Sequence, residues 1–370
     1  MKRVGVLFFC LSLILSNIVL AETADRQKEH IQKELIPNPE KKENKIEFFS
    51  LKPTGNGPFP IIFLLHGYQP PENSLGGKQL VEYGYLDRFV KEGIVAVSVS
   101  IPGYGNSTGT RDFGGPDSQN AIIAVINHFK TFNFIDSSKM GIYGISRGAQ
   151  LAGMVASRSQ DISVQILESG FYDLVSFCSE IPEYLDGIKN SIFQEGGNTY
   201  EALVERSPLY HANSTRAATL ILQGEFDDRR QLPSAQLLHA KLLDQGIESL
   251  FKIYLGELHA LPPEKWDVII PFVRQHFFYI HGIGIKVSDA TPAIQILKIL
   301  PNSPTQKSGK LKVGDAILSI SPMNDDIEID TLRMPINKFV SFLLGRKDSK
   351  VRLHVQHFDL TFEDVVISRG

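Results

Sequence analysis

KMGIYGISRGAQLAGMVASRS, residues Lys139 to Ser159, places a serine between two glycines in the pattern G-x-S-x-G. Five residues of this kind also occur in ordinary turns, so the flanks decide what Ser146 is. An apolar run, MGIYGI, leads in, and a run of small and apolar residues, GAQLAGMVA, leads out. A strand that turns sharply into a helix would hold the Ser146 hydroxyl above the carboxyl edge of a sheet. Gly144, Gly148 and Ala149 are small enough to let that helix lie close to the strand.

The same alternation continues on both sides. IEFFSL (46–51), IIFLLHG (61–67), GIVAVSVS (93–100), ISVQILES (162–169), ATLILQGE (218–225) and SLFKIYLG (249–256) read as strands. Residues 79–91, 117–129, 147–159, 232–246 and 263–278 read as helices. Short, solidly apolar runs such as IIFLL suit strands buried on both faces of a parallel sheet. Strands alternating with helices from 46 to 280 predict an α/β fold, a mostly parallel sheet with helices on both faces. Residues 171–216 are irregular and read as an excursion from the sheet. Residues 22–45 are polar, rich in Lys and Glu, and read as a lead-in with one short helix.

A serine hydroxyl is a poor nucleophile without a base, and the base needs an orienting acid. In a sheet of this kind the partners follow the serine in the order acid, then histidine, each at a strand end. ATLILQG runs into Glu225-Phe226-Asp227-Asp228-Arg229, and LFKIYLG runs into Glu257-Leu258-His259. Of the ten histidines, only His66 and His259 fall at strand ends. His66 precedes the serine and is read as a hydrogen bonder that orients its loop, which leaves His259 as the base. Asp227 and Asp228 both stand where the orienter is needed; Asp227 is preferred, with Asp228 as a loop residue paired with Arg229. The oxyanion hole is expected from the backbone N–H of Arg147, at a helix N-terminus, and of Tyr68, in the loop after IIFLL.

Taken in order, LLHGY, IPGYGNSTG, GISRGA, QGEFDDRR and GELHAL make residues 46–280 resemble the α/β-hydrolase superfamily. Within it the likeness is to the catalytic domain of prolyl-oligopeptidase-like serine hydrolases. The resemblance implies a serine hydrolase with Ser146, Asp227 and His259 as its triad. Relatives without a β-propeller resemble carboxylic-ester hydrolases, so both ester and peptide substrates are implied. The other class of function considered is a catalytically idle hydrolase fold serving as a peptide-binding scaffold.

Beyond residue 280 the pattern changes to short strands: GIGIKVS, IQILKILP, DAILSISP, KVRLHVQHF and TFEDVVIS. Helical stretches intervene only near 304–308 and at PINKFVSFLLG. Residues 281–370 form a compact, mostly β domain that resembles the PDZ domains of bacterial proteases, on GIGIKV and on ILPNSPTQKSGKLKVGDAILSI. That likeness implies a loop at Ile283, Gly284 and Ile285 that receives the C-terminal peptides of other proteins, with β-strand addition at its edge.

The 370 residues are 42% hydrophobic, and the net charge is −3. With no block of like charges, nucleic acid is not an expected partner. Lys2 and Arg3 precede the apolar run Val4–Ala21, the form of a signal peptide over 1–21 with cleavage before Glu22. The expectation is therefore an exported protein, periplasmic or secreted, with no stable membrane span after cleavage. Cys10 and Cys178 are the two cysteines, so the mature chain would hold Cys178 alone, without a disulfide or a thiolate metal site. No H-E-x-x-H occurs, and Gly103-Tyr104-Gly105 lacks dinucleotide-binding spacing, so neither a metal nor an organic cofactor is expected.

Overall fold

Strand β3, Phe59–Leu65, lies inside an eight-stranded sheet, and six of its seven residues are buried. The computed structural model that shows this describes residues 30–180, 182–278, 282–288, 293–322, 328–345 and 349–370. The expected signal peptide, 1–21, lies outside the described residues. The other strands of the sheet are β1 Gln32–Pro37, β2 Lys45–Leu51, β4 Val95–Val99, β5 Ile135–Ile145, β6 Ile162–Glu168, β7 Ala218–Gly224 and β8 Ser249–Tyr254. Their order is β1-β2-β4-β3-β5-β6-β7-β8. Pairing is parallel from β4 through β8 and antiparallel for β1 with β2 and β2 with β4. Because β3 to β8 all run one way, the loops after β3, β5, β7 and β8 leave from the same edge.

Side chains alternate across this sheet and meet helices on either side. Ile61, Phe63, Leu65 and Ile142 share one core with helices α3 (Pro116–Phe129), α4 (Arg147–Arg158) and α8 (Leu232–Asp244). Tyr143, next in sequence to Ile142, belongs to the opposite face. There its ring meets Tyr85 and Phe89 of helix α2 (Tyr85–Val90) and Trp266. Each fully buried Phe or Ile in these layers contributes about 2–3 kcal/mol.

Three local expectations are corrected. The polar lead-in does not hold a helix in its described part: Gln32–Pro37 is an edge strand, registered Gln32↔Ser50 to Pro37↔Lys45 on β2. Ile36 packs on the core, and Lys33 Nζ reaches the buried Glu47 carboxylate at 2.9 Å. Charged residues on an exposed edge hide a strand's alternation while blocking further pairing. The single helix expected at 79–91 is two, α1 (Lys78–Glu82) and α2, because Gly84 turns the chain at φ +71°. The excursion, read as irregular, is helical: α5 Leu174–Glu180, α6 Asp186–Gly196 and α7 Tyr200–Val204, with 3₁₀ turns at Glu183–Leu185 and Pro208–Ser214. It has its own core of Phe113, Phe171, Leu174, Phe177, Cys178, Leu185, Ile192 and Leu203. The buried Arg206 guanidinium staples it by donating to the carbonyls of Ala202 (2.7 Å), Ile192 (3.2 Å) and Gly197 (2.9 Å).

The chain forms two compact units, Met1–Trp266 and Asp267–Gly370. The division falls at the start of helix α9, Trp266–Phe277, whereas the sequence pattern placed it after that helix. The second unit contains β9 Ile285–Ser288, β10 Ile294–Ile299, α10 Pro304–Ser308, β11 Ala316–Ser321, β12 Ile329–Asp330, α11 Ile336–Leu343, β13 Lys350–Gln356 and β14 Phe362–Ser368. Its strands pair antiparallel in the order β14-β13-β11-β10-β9, with β12 on β11. Val351, Leu353 and Val355, alternating along β13, enter a core with Ile317, Ile320, Phe339 and Val365. Arg369 is buried here and donates to the carbonyls of Leu343, Phe342, Pro322 and Lys350.

Candidate active site

The turn from β5 into α4 is built from close backbone approaches. A Cβ on Gly144 would lie 2.0 Å from the Gly148 carbonyl oxygen. One on Gly148 would lie 2.3 Å from that of Leu65 and 2.6 Å from that of His66. Ser146 between them has φ +56° and ψ −118°, a conformation a non-glycine residue holds only when its surroundings impose it. The imposing contacts are the helix behind it and its own N–H, which donates to the Glu168 carbonyl at the end of β6 at 2.7 Å.

The loops after β7 and β8 bring the other two residues to this hydroxyl. His259 Nε2 lies 2.9 Å from Ser146 Oγ. Nδ1 of the same ring lies 3.0 Å from Asp227 Oδ2 and 3.2 Å from Oδ1. Asp227 is buried, and its oxygens also accept the Arg229 N–H at 2.8 Å and the Gln223 amide at 2.6 Å. Burial raises the carboxyl's pKa, but the His259 contact and these donors outweigh it and hold Asp227 below its usual value. Asp228 is exposed and pairs with Arg229 at 2.8 Å. The structure therefore puts Asp227, not Asp228, on the imidazole. Asp227, Asp228 and His259 also offer atoms within 4.8 Å of one another that could ligate a cation. Both ring nitrogens of His259 are already engaged in the serine–carboxylate chain, so ligation would break it.

Among the described residues, no acceptor takes the backbone N–H of Arg147 or of Tyr68. The Tyr68 loop is held against the elbow: a Cβ on Gly67 would touch Ser146 Cβ at 3.4 Å. His66 fixes that loop. Its Nε2 accepts the Ile101 N–H at 3.2 Å, so Nδ1 carries the proton and donates to the Gly67 carbonyl at 2.8 Å. Complete burial drives its pKa down to about 4, leaving the ring neutral.

The Arg147 side chain, which the sequence left unassigned, is buried behind the elbow. Its guanidinium donates to Tyr104 Oη at 2.7 Å, pairs with Glu195 of α6 and lies 4.4 Å over the Phe113 ring. It thereby joins the nucleophile turn to the helical excursion. Sequence reasoning missed Glu195 and Gln223. The one signal for Gln223 was a polar residue inside the apolar run ATLILQG. IPGYGNSTG also finds its physical basis. Ser100 Oγ, Asn106 Nδ2 and the Asn106 N–H all donate to the buried Glu47 carboxylate at 2.6–3.0 Å. A Cβ on Gly105 would meet that carboxylate at 2.4 Å.

In the second unit, Ile283 is buried and its carbonyl accepts the Thr305 N–H at 3.0 Å. Gly284, at φ +78°, accepts the Leu300 N–H at 2.8 Å, and Ile285 opens the edge strand β9 opposite Ile299. The N–H groups of Ile283 and Gly284 have no acceptor among the described residues.

Residues 89–272, just under half the chain, match the family model described as the prolyl oligopeptidase family. The uncharacterized peptidase YuxL of Bacillus subtilis is 25% identical over 217 residues, 56% of this chain and 32% of its own length. Among solved structures, an acylaminoacyl peptidase of Pyrococcus horikoshii aligns with a TM-score of 0.55 at 18% identity, over 67% of this chain and 41% of that one. A puromycin-hydrolyzing peptidase of Mycobacterium tuberculosis aligns with a TM-score of 0.56 at 20% identity, over 67% and 39%. The chain thus spans about a third of that curated relative and about two fifths of these structures. These structural likenesses show a shared α/β-hydrolase-like fold.

Proposed function

We propose that this chain, whose residues 89–272 match the prolyl oligopeptidase family, hydrolyses peptide or ester bonds through an acyl-enzyme on Ser146. The observation that carries the proposal is the unbroken chain from Ser146 Oγ through His259 to the buried Asp227, on a strained strand–helix turn. His259 Nε2 takes the hydroxyl proton as Oγ bonds to the substrate carbonyl carbon. The resulting oxyanion is received by the N–H groups of Arg147 and Tyr68, in the positive field at the start of α4. The imidazolium then protonates the leaving amine or alcohol as its bond to carbon breaks. Water, deprotonated by His259, releases the acid and restores Ser146. Asp227 keeps Nδ1 protonated and stabilises the imidazolium throughout.

Loss of fluorophosphonate labelling and of turnover in Ser146→Ala tests this directly; retained labelling would refute it. Comparing aminoacyl and peptidyl amides with short acyl esters on the wild-type protein distinguishes peptidase from esterase. The intact hydrogen-bond chain argues against an idle scaffold.

The second unit is proposed to be PDZ-like, taking the C-terminal carboxylate of a peptide on the N–H groups around Ile283, Gly284 and Ile285. Supporting this are the edge strand β9 and the uncommitted N–H groups of Ile283 and Gly284. Fluorescence polarisation with peptides carrying free or amidated C-termini tests it: equal binding of both would exclude carboxylate capture. Export to the periplasm or beyond rests on the basic and apolar start of the sequence, and an amino-terminal sequence of the secreted product beginning at Glu22 would establish it. Among the described residues no helix is long and apolar enough to cross a membrane.

A further inference from the structure

Gln223 lies on β7, directly after the apolar run Leu220-Ile221-Leu222, with no solvent exposure. Its Nε2 donates to Asp227 Oδ2 at 2.6 Å, while its Oε1 is buried without a partner among the described residues. An amide that leaves one end unsatisfied inside a strand lowers stability, so packing does not account for it. The contact with Asp227 does. With the Arg229 N–H on Oδ1 alone, the carboxylate could pivot about its Cβ–Cγ bond. A second donor on Oδ2 fixes its plane, and with it the direction in which both oxygens face His259 Nδ1.

We propose that Gln223 is a positioning residue of the triad: it clamps the Asp227 carboxylate and draws off part of its charge, thereby setting both the orientation and the basicity of His259. The proposal rests on Ser146, His259 and Asp227 acting as the triad. The titratable and charged groups facing Asp227 are the His259 imidazole, the buried Tyr172 phenol and, on its own loop, Asp228 and Arg229.

The rate of fluorophosphonate labelling, measured on the full-length chain as a function of pH, tests this without knowledge of the natural substrate. Q223M keeps the length of the side chain and removes the donor. It should label about tenfold more slowly or worse. The acid limb of its profile should move to higher pH, because a carboxylate relieved of one donor favours the imidazolium more strongly. Q223E places a second carboxyl against Asp227, and the pair must share a proton. While that proton is held, the donor is restored, so Q223E should outpace Q223M near about pH 6 and fall below it in alkali. A wild-type rate and an unmoved limb in Q223M would overturn the proposal. So would equal factors of loss at every pH in both variants, the sign of a purely structural role. If Q223M fails to fold, the Q223E profile decides alone: parallel to wild type, it overturns the clamp. Wild-type protein that does not label at all would instead overturn the triad, and the role of Gln223 with it.

Discussion

Acid should loosen the first unit through His66 specifically. The ring is buried, accepts the Ile101 N–H at Nε2, and is shifted from 6.5 to about 4. Burial is the main cause; the bond to the Gly67 carbonyl and, more weakly, Glu47 oppose it, while the nearby charges of Arg147 and Arg111 add to it. Protonation would turn Nε2 into a donor pointed at another donor. Below 6.5 the unfolded chain binds a proton that the folded chain refuses, so stability must fall as pH drops from about 6.5 toward 4. Two and a half pKa units correspond to about 3 kcal/mol at the bottom of that window, and to none above it. Replacing His66 with Gln removes the titration while leaving a side chain able to accept the Ile101 N–H. The single tryptophan, Trp266, packs edge-on against Tyr85 and Phe89, so its fluorescence reports unfolding of this unit. Urea unfolding of wild type and H66Q at several pH values between about 7.5 and 4.5 gives a difference curve in which other titrating groups cancel. The wild type should lose about 3 kcal/mol relative to the variant across the window. Parallel curves would show that His66 is not held neutral by its site.

Gly148→Ala should abolish labelling of Ser146 and lower the melting temperature, because its Cβ would fall 2.3 Å from the Leu65 carbonyl. Gly187→Ala, inside α6 with nothing within 4 Å, should instead stabilise by about 0.5–1 kcal/mol, as differential scanning fluorimetry would register. Glu195→Gln removes the carboxylate that neutralises the buried Arg147 and should cost about 3 kcal/mol in denaturant titration, with slower labelling as the elbow loosens. The Cys178 thiol, buried in the excursion core and pushed up to about 11, should resist a neutral-pH thiol reagent until urea is added.

Why some of this was legible in the sequence and some was not follows from how the information is stored. Ser146, Asp227 and His259 stand where buried apolar runs end, and a parallel sheet converts three strand ends into one place. The strand at Gln32–Pro37 could not be read because an edge strand faces water and carries its charges there. The excursion helices are short and broken at Pro182, Gly197 and Pro208, and their apolar residues form a core with one another and with the distant Phe113 rather than an unbroken stripe. Glu195 was invisible for the same reason: it meets Arg147 across 48 residues, and no periodicity links them. Gln223 was visible as a polar interruption, but its partner Asp227 lies past the end of β7, on the turn that begins at Gly224, and nothing in the strand pattern links the two.

The Ser146–His259 contact spans 113 positions of sequence, and His259 follows the last strand of its sheet. A polypeptide folded only through β7 and the turn after it can already form the elbow and present Asp227, yet it lacks His259. Contacts of such separation are closed late, after local structure has formed. Ser146 Oγ therefore gains its imidazole partner only when β8 and the loop after it are in place.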